Sequence, residues 1–331
     1  MIAKTIKTAT IKKAPQAIVT IPPYALFIGE VSSHPFVSGL RFNTVMELKK
    51  SDNPESILYK LKAETQGKKL WIDLKGRQLR VKTHASPPYT AIELTHSISV
   101  ETPIDAYFSG GLQRARVLQV DGNQLIMEDG PRRPIGPGES VNIPHPSLKI
   151  DGYFTERDKE YIKAAAKVGL DHFMLSFVEG QSDIDEFNQL YANAMEQLGK
   201  PYQKPTIAAK IESRKGIRYA LKEWREDCQL MTARGDLYLE LTHGDDSQAH
   251  DLLKVTERIV GRDPSAIIAS RILSSLENSY LPTCSDMSDA DNLLRMGYRS
   301  LMLGDEICQK RESAISAINC LEAIAHRYSD S

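Results

Sequence analysis

From residue 150 onward, short runs of consecutive apolar residues alternate with longer segments of helical period. The runs are HFMLSF (172–177), TIAAKI (206–211), QLMTA (229–233), AIIAS (266–270) and RSLML (299–303). Their unbroken apolarity marks strands buried on both faces. The segments between them are amphipathic; TERDKEYIKAAAKVG opens on Thr155 as N-cap, with an acid in its first turn. Strands separated by helices are βαβ units and build a parallel sheet. Earlier in the chain the same reading places strands at AIVTI (17–21), SGLRFN (38–43) and LWIDL (70–74), with a helix over 53–65. Three early strands and five late ones make eight, the count of a TIM (β/α)8 barrel in an α/β fold.

From Arg77 to about Leu148 the helical period is absent. β-Branched residues, prolines and turn pairs such as Asp121-Gly122 and Asp129-Gly130 take its place. This predicts a small all-β domain inserted between the third and fourth barrel strands. Barrel active sites lie at the C-terminal strand ends, where such an insert acts as a lid. The organisation expected is a basic N-terminal tail over 1–16, a barrel over 17–76 and 149–327, and a lid over 77–148.

Composition narrows the partners. The chain has 331 residues, enough to bury a core without disulfide or metal staples. With 42 Lys+Arg against 43 Asp+Glu, it lacks the basic excess that a nucleic-acid partner requires. No apolar run reaches membrane-spanning length. Cys228, Cys284, Cys308 and Cys320 form no C-x-x-C pair, and reduced thiols in a cytoplasm are expected. The opening MIAKTIKTATIKKAPQA has lysines but no arginine and no amphipathic pattern, and reads as a solvated tail. The histidines show no metal-binding spacing, and neither a G-x-G-x-x-G nor a Walker loop is present.

The candidate chemistry sits at strand ends. Period two puts Lys210 and Glu212 of AAKIE on one face. The next strand runs into Ala233-Arg234-Gly235-Asp236. Glu212 and Asp236 on adjacent strand ends suit Mg²⁺ or Mn²⁺. Lys210 beside them can carry a proton or offset a transferring phosphoryl group. Gly235 allows main-chain N–H groups to approach an anion closely. Gly244-Asp245-Asp246 reads as a polar loop, Asp289 and Asp291 as the start of a helix, and Glu306 as a barrel-mouth acid with a structural or supporting role.

Taken together, these segments resemble the pyruvate kinase family. The resemblance is carried by SGLRFN (38–43), WIDLKGRQLR (71–80), IDAYFSGG (104–111), the stretch from VNIP to MLSFV (141–178), AAKIESRKGI (208–217), MTARGDL (231–237), IIASRIL (267–273), LPTCSDMSDADN (281–292) and MLGDE (302–306). It implies an enzyme in which Lys210 holds the transferring phosphoryl group and Arg41 contacts it from strand two. Glu212 and Asp236 would bind the divalent metal. Main-chain N–H groups of Gly235 and Asp236 would hold the carboxylate of phosphoenolpyruvate or pyruvate. Ser270 would stand near the substrate methylene, where the family has threonine. Arg80, Asn43 and Pro23 are the implied nucleotide contacts, and a homo-oligomer is the implied assembly. The chain ends after the eighth barrel helix, so no effector site of the family's C-terminal domain is expected.

The departures from the family pattern matter as much. The monovalent cation set keeps Asn43, Asp73 and the carbonyl of Leu74, but Val45 replaces a serine, which weakens the case for K⁺. Arg77 stands at a proline position, where its fixed charge could substitute. On the nucleotide side, Ser109-Gly110 replaces an acidic pair, and Glu139 falls where a phosphate-binding lysine is usual. Three readings follow, in order. The first is phosphoryl transfer between phosphoenolpyruvate and a nucleoside diphosphate. The second is metal-dependent lyase, aldolase or decarboxylase chemistry on pyruvate or oxaloacetate without nucleotide. The third is a non-enzymatic binder of small carboxylates or phosphates.

Overall fold

The computed structural model describes residues 14–88, 91–241 and 247–328. The lysine-rich residues 1–13 and the Gly244-Asp245-Asp246 loop lie outside them. Eight parallel strands close into a barrel: β1 (Gln16–Thr20), β2 (Val37–Asn43), β3 (Lys69–Leu74), β4 (His172–Leu175), β5 (Thr206–Ile211), β6 (Gln229–Ala233), β7 (Ile267–Ala269) and β8 (Ser300–Leu303). Each pairs with its sequence neighbours, and β8 closes onto β1. The α/β barrel read from the periodicity is the fold. Strand ends differ from expectation by a residue or two. Phe177 and Ser270, expected inside strands, have φ of 52° and 71° and leave the sheet in the left-handed region.

Two apolar layers hold this frame. The larger fills the space between strands and outer helices. The smaller occupies the barrel interior and is built from Ile18, Trp71, Met174, Ala208, Met231, Ile267, Ala269 and Met302. Strand β2 contributes nothing to it, because Gly39 faces the Trp71 indole: a Cβ there would lie 3.1 Å from its Nε1. Period two then decides what lies above this floor. Two residues past Ile18, Trp71, Met174 and Ala208 stand Thr20, Asp73, Ser176 and Lys210, while Arg41 follows Gly39. A polar layer thus caps the apolar one at the C-terminal end of the barrel.

Helix ends follow local chemistry. Asn53 caps Pro54–Glu64, Thr155 caps Glu156–Val168 and Thr283 caps Cys284–Met296, each accepting from the N3 amide. Asp289 and Asp291 therefore sit mid-helix rather than at its start; Asp286 is the first-turn acid. Between β3 and β4 lies the inserted antiparallel sheet, ordered Ile92–Glu93, Gln124–Met127, Gln113–Asp121, Ile104–Phe108 and Val141–Asn142, over its own apolar cluster. Among the described residues no helix is long and apolar enough to cross a membrane.

The inserted sheet rests on the barrel mouth. A Cβ on Gly111 (φ +91°) would meet Leu239 at 2.6 Å, and Gly138 lies against Val45. Asn142 reaches the helix Arg234–Glu240, which follows β6 directly.

Candidate active site

The polar layer is a network centred on Asp73. Its buried carboxylate accepts from Arg41 Nε at 2.8 Å and again from Arg41 Nη2. Lys75 Nζ and Lys210 Nζ each lie 3.5 Å from its Oδ1, and Ser176 Oγ donates to the same atom at 3.3 Å. Burial alone would raise the Asp73 pKa; Lys210, Lys75 and Arg41 overcome it and hold the acid ionised, far below the usual carboxylate range.

Lys210 donates to Ser176 Oγ at 2.8 Å and lies 3.1 Å from Glu212 Oε1. Burial disfavours its charge, but Asp73 and Glu212 outweigh that and raise its pKa. Burial instead pushes the Lys75 ammonium down to about 7, against Asp73, with Lys210 adding to the push. One lysine of the pair is thus a fixed cation, while the other is poised near neutrality.

Glu212 accepts the Phe177 amide on Oε2 at 2.9 Å. Its pKa is raised by burial and by the nearby Asp236 charge, with Lys210 opposing. Asp236 accepts from Gln78 Nε2 at 3.2 Å and Asn142 Nδ2 at 3.3 Å. Glu212 and Asp236, near enough that the Asp236 charge raises the Glu212 pKa, form a donor set that fits a divalent cation. Mg²⁺ commonly takes one or two protein carboxylates and completes its sphere with water and substrate oxygens. Among the described residues no group of three or more His, Cys, Asp or Glu side chains could hold a metal.

Ser270 and Gly235 face each other; a Cβ on the glycine would lie 3.4 Å from the Ser270 Cβ. Arg234 fixes the left-handed turn that presents Ser270, donating to its carbonyl at 3.1 Å from a bidentate pair with Asp289.

Of the nucleotide residues expected from sequence, Arg80 and Asn43 border this cluster, Arg80 through Gln78 beside Asp236 and Asn43 through Asp305 beside Arg41. Pro23 is buried in the loop after β1. Arg80 donates to the Gly138 carbonyl and, at 2.6 Å, to Gln78 Oε1. Glu139 does not stand bare: it accepts from Ser109 at 2.5 Å and Arg133 at 2.7 Å.

The monovalent set is compromised. The Asn43 amide N–H₂ donates to Asp305 at 2.9 Å, the Leu74 carbonyl accepts the Ser176 amide, and Asp73 already carries three side-chain cations. With three side-chain cations already at Asp73 and the Asn43 Oδ1 accepting the Val45 amide at 3.2 Å, this is a poor site for K⁺. Arg77 supplies no substitute charge there, because it forms a bidentate pair with Asp183 at 2.7 Å and lies over the Tyr153 ring. The positive groups at Asp73 are Arg41, Lys210 and Lys75.

Sequence reasoning missed Lys75, Ser176, Gln78, Asn142, Glu240 and Asp305. Lys75 was readable, two residues past Asp73 on the same strand face. Glu240 lies one helical turn past Asp236, and the two accept from one amide, Asn142 Nδ2. Asp305 at the end of β8 takes the place expected of Glu306, which is exposed. Asn142 reaches the site only because the inserted sheet docks. A cavity of about 610 Å³, lined by Arg77, His145, Lys215 and Glu240 among others, flanks the cluster without including Lys210, Glu212 or Asp236.

A family model for the pyruvate kinase barrel domain matches residues 60–311. Pyruvate kinase of Borreliella burgdorferi is 27% identical over 316 residues, covering 88% of this chain and 63% of that protein. Pyruvate kinase 2 of Synechocystis is 30% identical over 259 residues, covering 74% and 41%. Pyruvate kinase of Methanocaldococcus jannaschii is 24% identical over 308 residues, covering 88% and 65%. The chain spans less than two thirds of the length of these relatives. The family match runs from the helix before β3 to the start of the helix after β8, taking in six barrel strands and the whole inserted sheet; the chain belongs to the pyruvate kinase family.

Proposed function

We propose that this chain is a pyruvate kinase-like phosphotransferase, moving a phosphoryl group between phosphoenolpyruvate and a nucleoside diphosphate through a pyruvate enolate. The observation that carries the reading is a buried lysine of raised pKa 3.1 Å from Glu212, with the Asp236 charge acting on both and a buried arginine in the same network. Glu212 and Asp236 would hold a Mg²⁺ or Mn²⁺ ion, which supplies Lewis-acid stabilisation of developing oxyanion charge when bound. Lys210 offsets charge on the transferring group, and its raised pKa keeps it cationic throughout. Arg41 orients the phosphoryl oxygens with a planar fork of donors. The amides of Gly235 and Asp236 hold the substrate carboxylate, and the Ser270 hydroxyl faces the methylene carbon. Docking of Asn142 on Asp236 and Glu240 draws the lid over the site and excludes water. Potassium takes no part in this reading, because its expected donors are already committed.

A second reading is metal-dependent enolate chemistry on pyruvate or oxaloacetate without nucleotide. It is supported by Glu139, which falls in the sequence where the family has a phosphate-binding lysine, and which pairs with Arg133 on the lid. Phosphorus NMR of the protein with phosphoenolpyruvate, Mg²⁺ or Mn²⁺ and a panel of nucleoside diphosphates separates the two. Formation of a nucleoside triphosphate is the expected result. A persistent phosphoenolpyruvate signal across the panel, with metal-dependent exchange of pyruvate methyl protons, overturns the first reading in favour of the second.

A further inference from the structure

Arg41 has five N–H donors, and most are already in use. Nε and Nη2 donate to Asp73, while Nη1 donates to Thr20 Oγ1 at 3.0 Å and to Asp305 Oδ2 at 2.9 Å. To grip a phosphoryl group with two parallel bonds, the guanidinium must release a partner. The partners are unequal. Asp73 is fully buried and serves Lys75 and Lys210 as well. Thr20 is fully buried and tied to the Leu303 carbonyl at 2.7 Å. Asp305 is the loosest, with its side chain 32% exposed. Both of its described bonds, from Arg41 and from Asn43 Nδ2 at 2.9 Å, fall on Oδ2, and Oδ1 is buried without a partner.

The surroundings of Asp305 belong to an anion site. N–H groups of Arg41 and Asn43 point at it. Burial works against its charge, yet Arg41 and Lys75 keep the acid ionised, below the usual carboxylate range. A cation placed beside Oδ1 would meet these same positive groups.

We propose that Asp305 is a resident anion of the phosphoryl subsite, engaging the Arg41 and Asn43 donors that a phosphorylated ligand needs and setting the site's selectivity between phosphorylated and purely carboxylate ligands. The inference rests on the phosphotransferase reading for the position of the phosphoryl group. A phosphorylated ligand must displace Asp305 and bears its repulsion. A ligand that binds only at Glu212, Asp236 and Lys210 does neither. Asp305 is thus a specificity-determining residue whose removal improves binding, the opposite of what a structural anchor for Arg41 would show.

Calorimetric titration in Mn²⁺ of the wild-type chain, Asp305→Asn and Asp305→Ser tests this, with phosphoenolpyruvate, inorganic phosphate and oxalate as probes. Asp305→Asn keeps the shape, and Asp305→Ser clears space if the asparagine amide itself crowds Arg41. The expected result is phosphoenolpyruvate and phosphate binding at least roughly tenfold tighter in one or both variants, as loss of a close like charge requires, with oxalate within about twofold of wild type. Unchanged or weaker binding of both phosphorylated probes in both variants overturns the proposal, as does an equal change in oxalate. Because the readout is binding, tighter phosphoenolpyruvate binding without any nucleoside triphosphate formed leaves this inference standing and defeats the phosphotransferase reading alone.

Discussion

Replacing Asp73 by asparagine preserves its volume and removes a charge on which three cations depend. Arg41, Lys75 and Lys210 all converge on that fully buried carboxylate. Breaking a buried ionic network by deleting one partner costs about 3–5 kcal/mol, because the remaining charges stay desolvated. At about 2.1 cal/mol/K of unfolding entropy per residue, 331 residues give roughly 0.7 kcal/mol/K, so Tm falls by about 4–7 °C. The buried Trp71 and Trp224 indoles report unfolding by fluorescence. If the loss is electrostatic, Lys210→Met in the Asp73→Asn background relieves one stranded cation and recovers part of the stability. The double-mutant cycle should then show a coupling of at least about 1 kcal/mol. A Tm within about 1 °C of wild type, or single effects that add to within about 0.5 kcal/mol, would refute the reasoning.

Other outcomes follow from individual contacts. Lys210→Met should lower the rate of triphosphate formation by on the order of 100-fold or more in a coupled assay, since among the described residues no other ammonium pairs with Glu212. Gln78→Ala removes a donor to Asp236 and should weaken Mn²⁺ affinity roughly tenfold in a titration followed by electron paramagnetic resonance. Gly76→Ala, at φ +49° with a Cβ 2.7 Å from the Ser176 carbonyl oxygen and 2.8 Å from the Tyr153 ring, should cost roughly 2–4 kcal/mol in denaturant unfolding. Burial, with Asp236 and Glu179 adding, pushes the Glu240 carboxyl up to about 8 against the Asn142 hydrogen bond. Its folded pKa therefore exceeds its unfolded one, so its contribution is fully present below about pH 4.3 and is lost as pH rises toward 8. Glu240→Gln should flatten the stability profile across that window, and an unchanged slope would show that the carboxyl is already ionised.

Much of this molecule was legible before any coordinate. Each barrel strand lies within a residue or two of an apolar run, because a strand covered on both faces has to be apolar throughout. Thr155 capped its helix as expected, since capping is local chemistry between neighbours. Lys210 and Glu212 share a face because the strand period is two, and Lys75 was available by the same rule from Asp73. The helix beginning at Cys284 was misjudged because Thr283 and Asp286 form its capping box ahead of the later acids.

What sequence order could not decide was which strand ends meet. Asp305 reaches Arg41 across 264 positions of chain, and it does so only because β8 closes on β1 beside β2. Asn142 joins Asp236 and Glu240 through the docking of a separately folded sheet, a contact that no local period encodes. Arg77, which the sequence offered as a fixed charge in place of the monovalent cation, pairs instead with Asp183 on the next barrel segment. Local pattern determines strands, caps and the face a side chain takes, since those depend on neighbours along the chain. Closure of the barrel and seating of the lid determine partners, and with them charge and pKa, since Coulomb energy depends on distance in space.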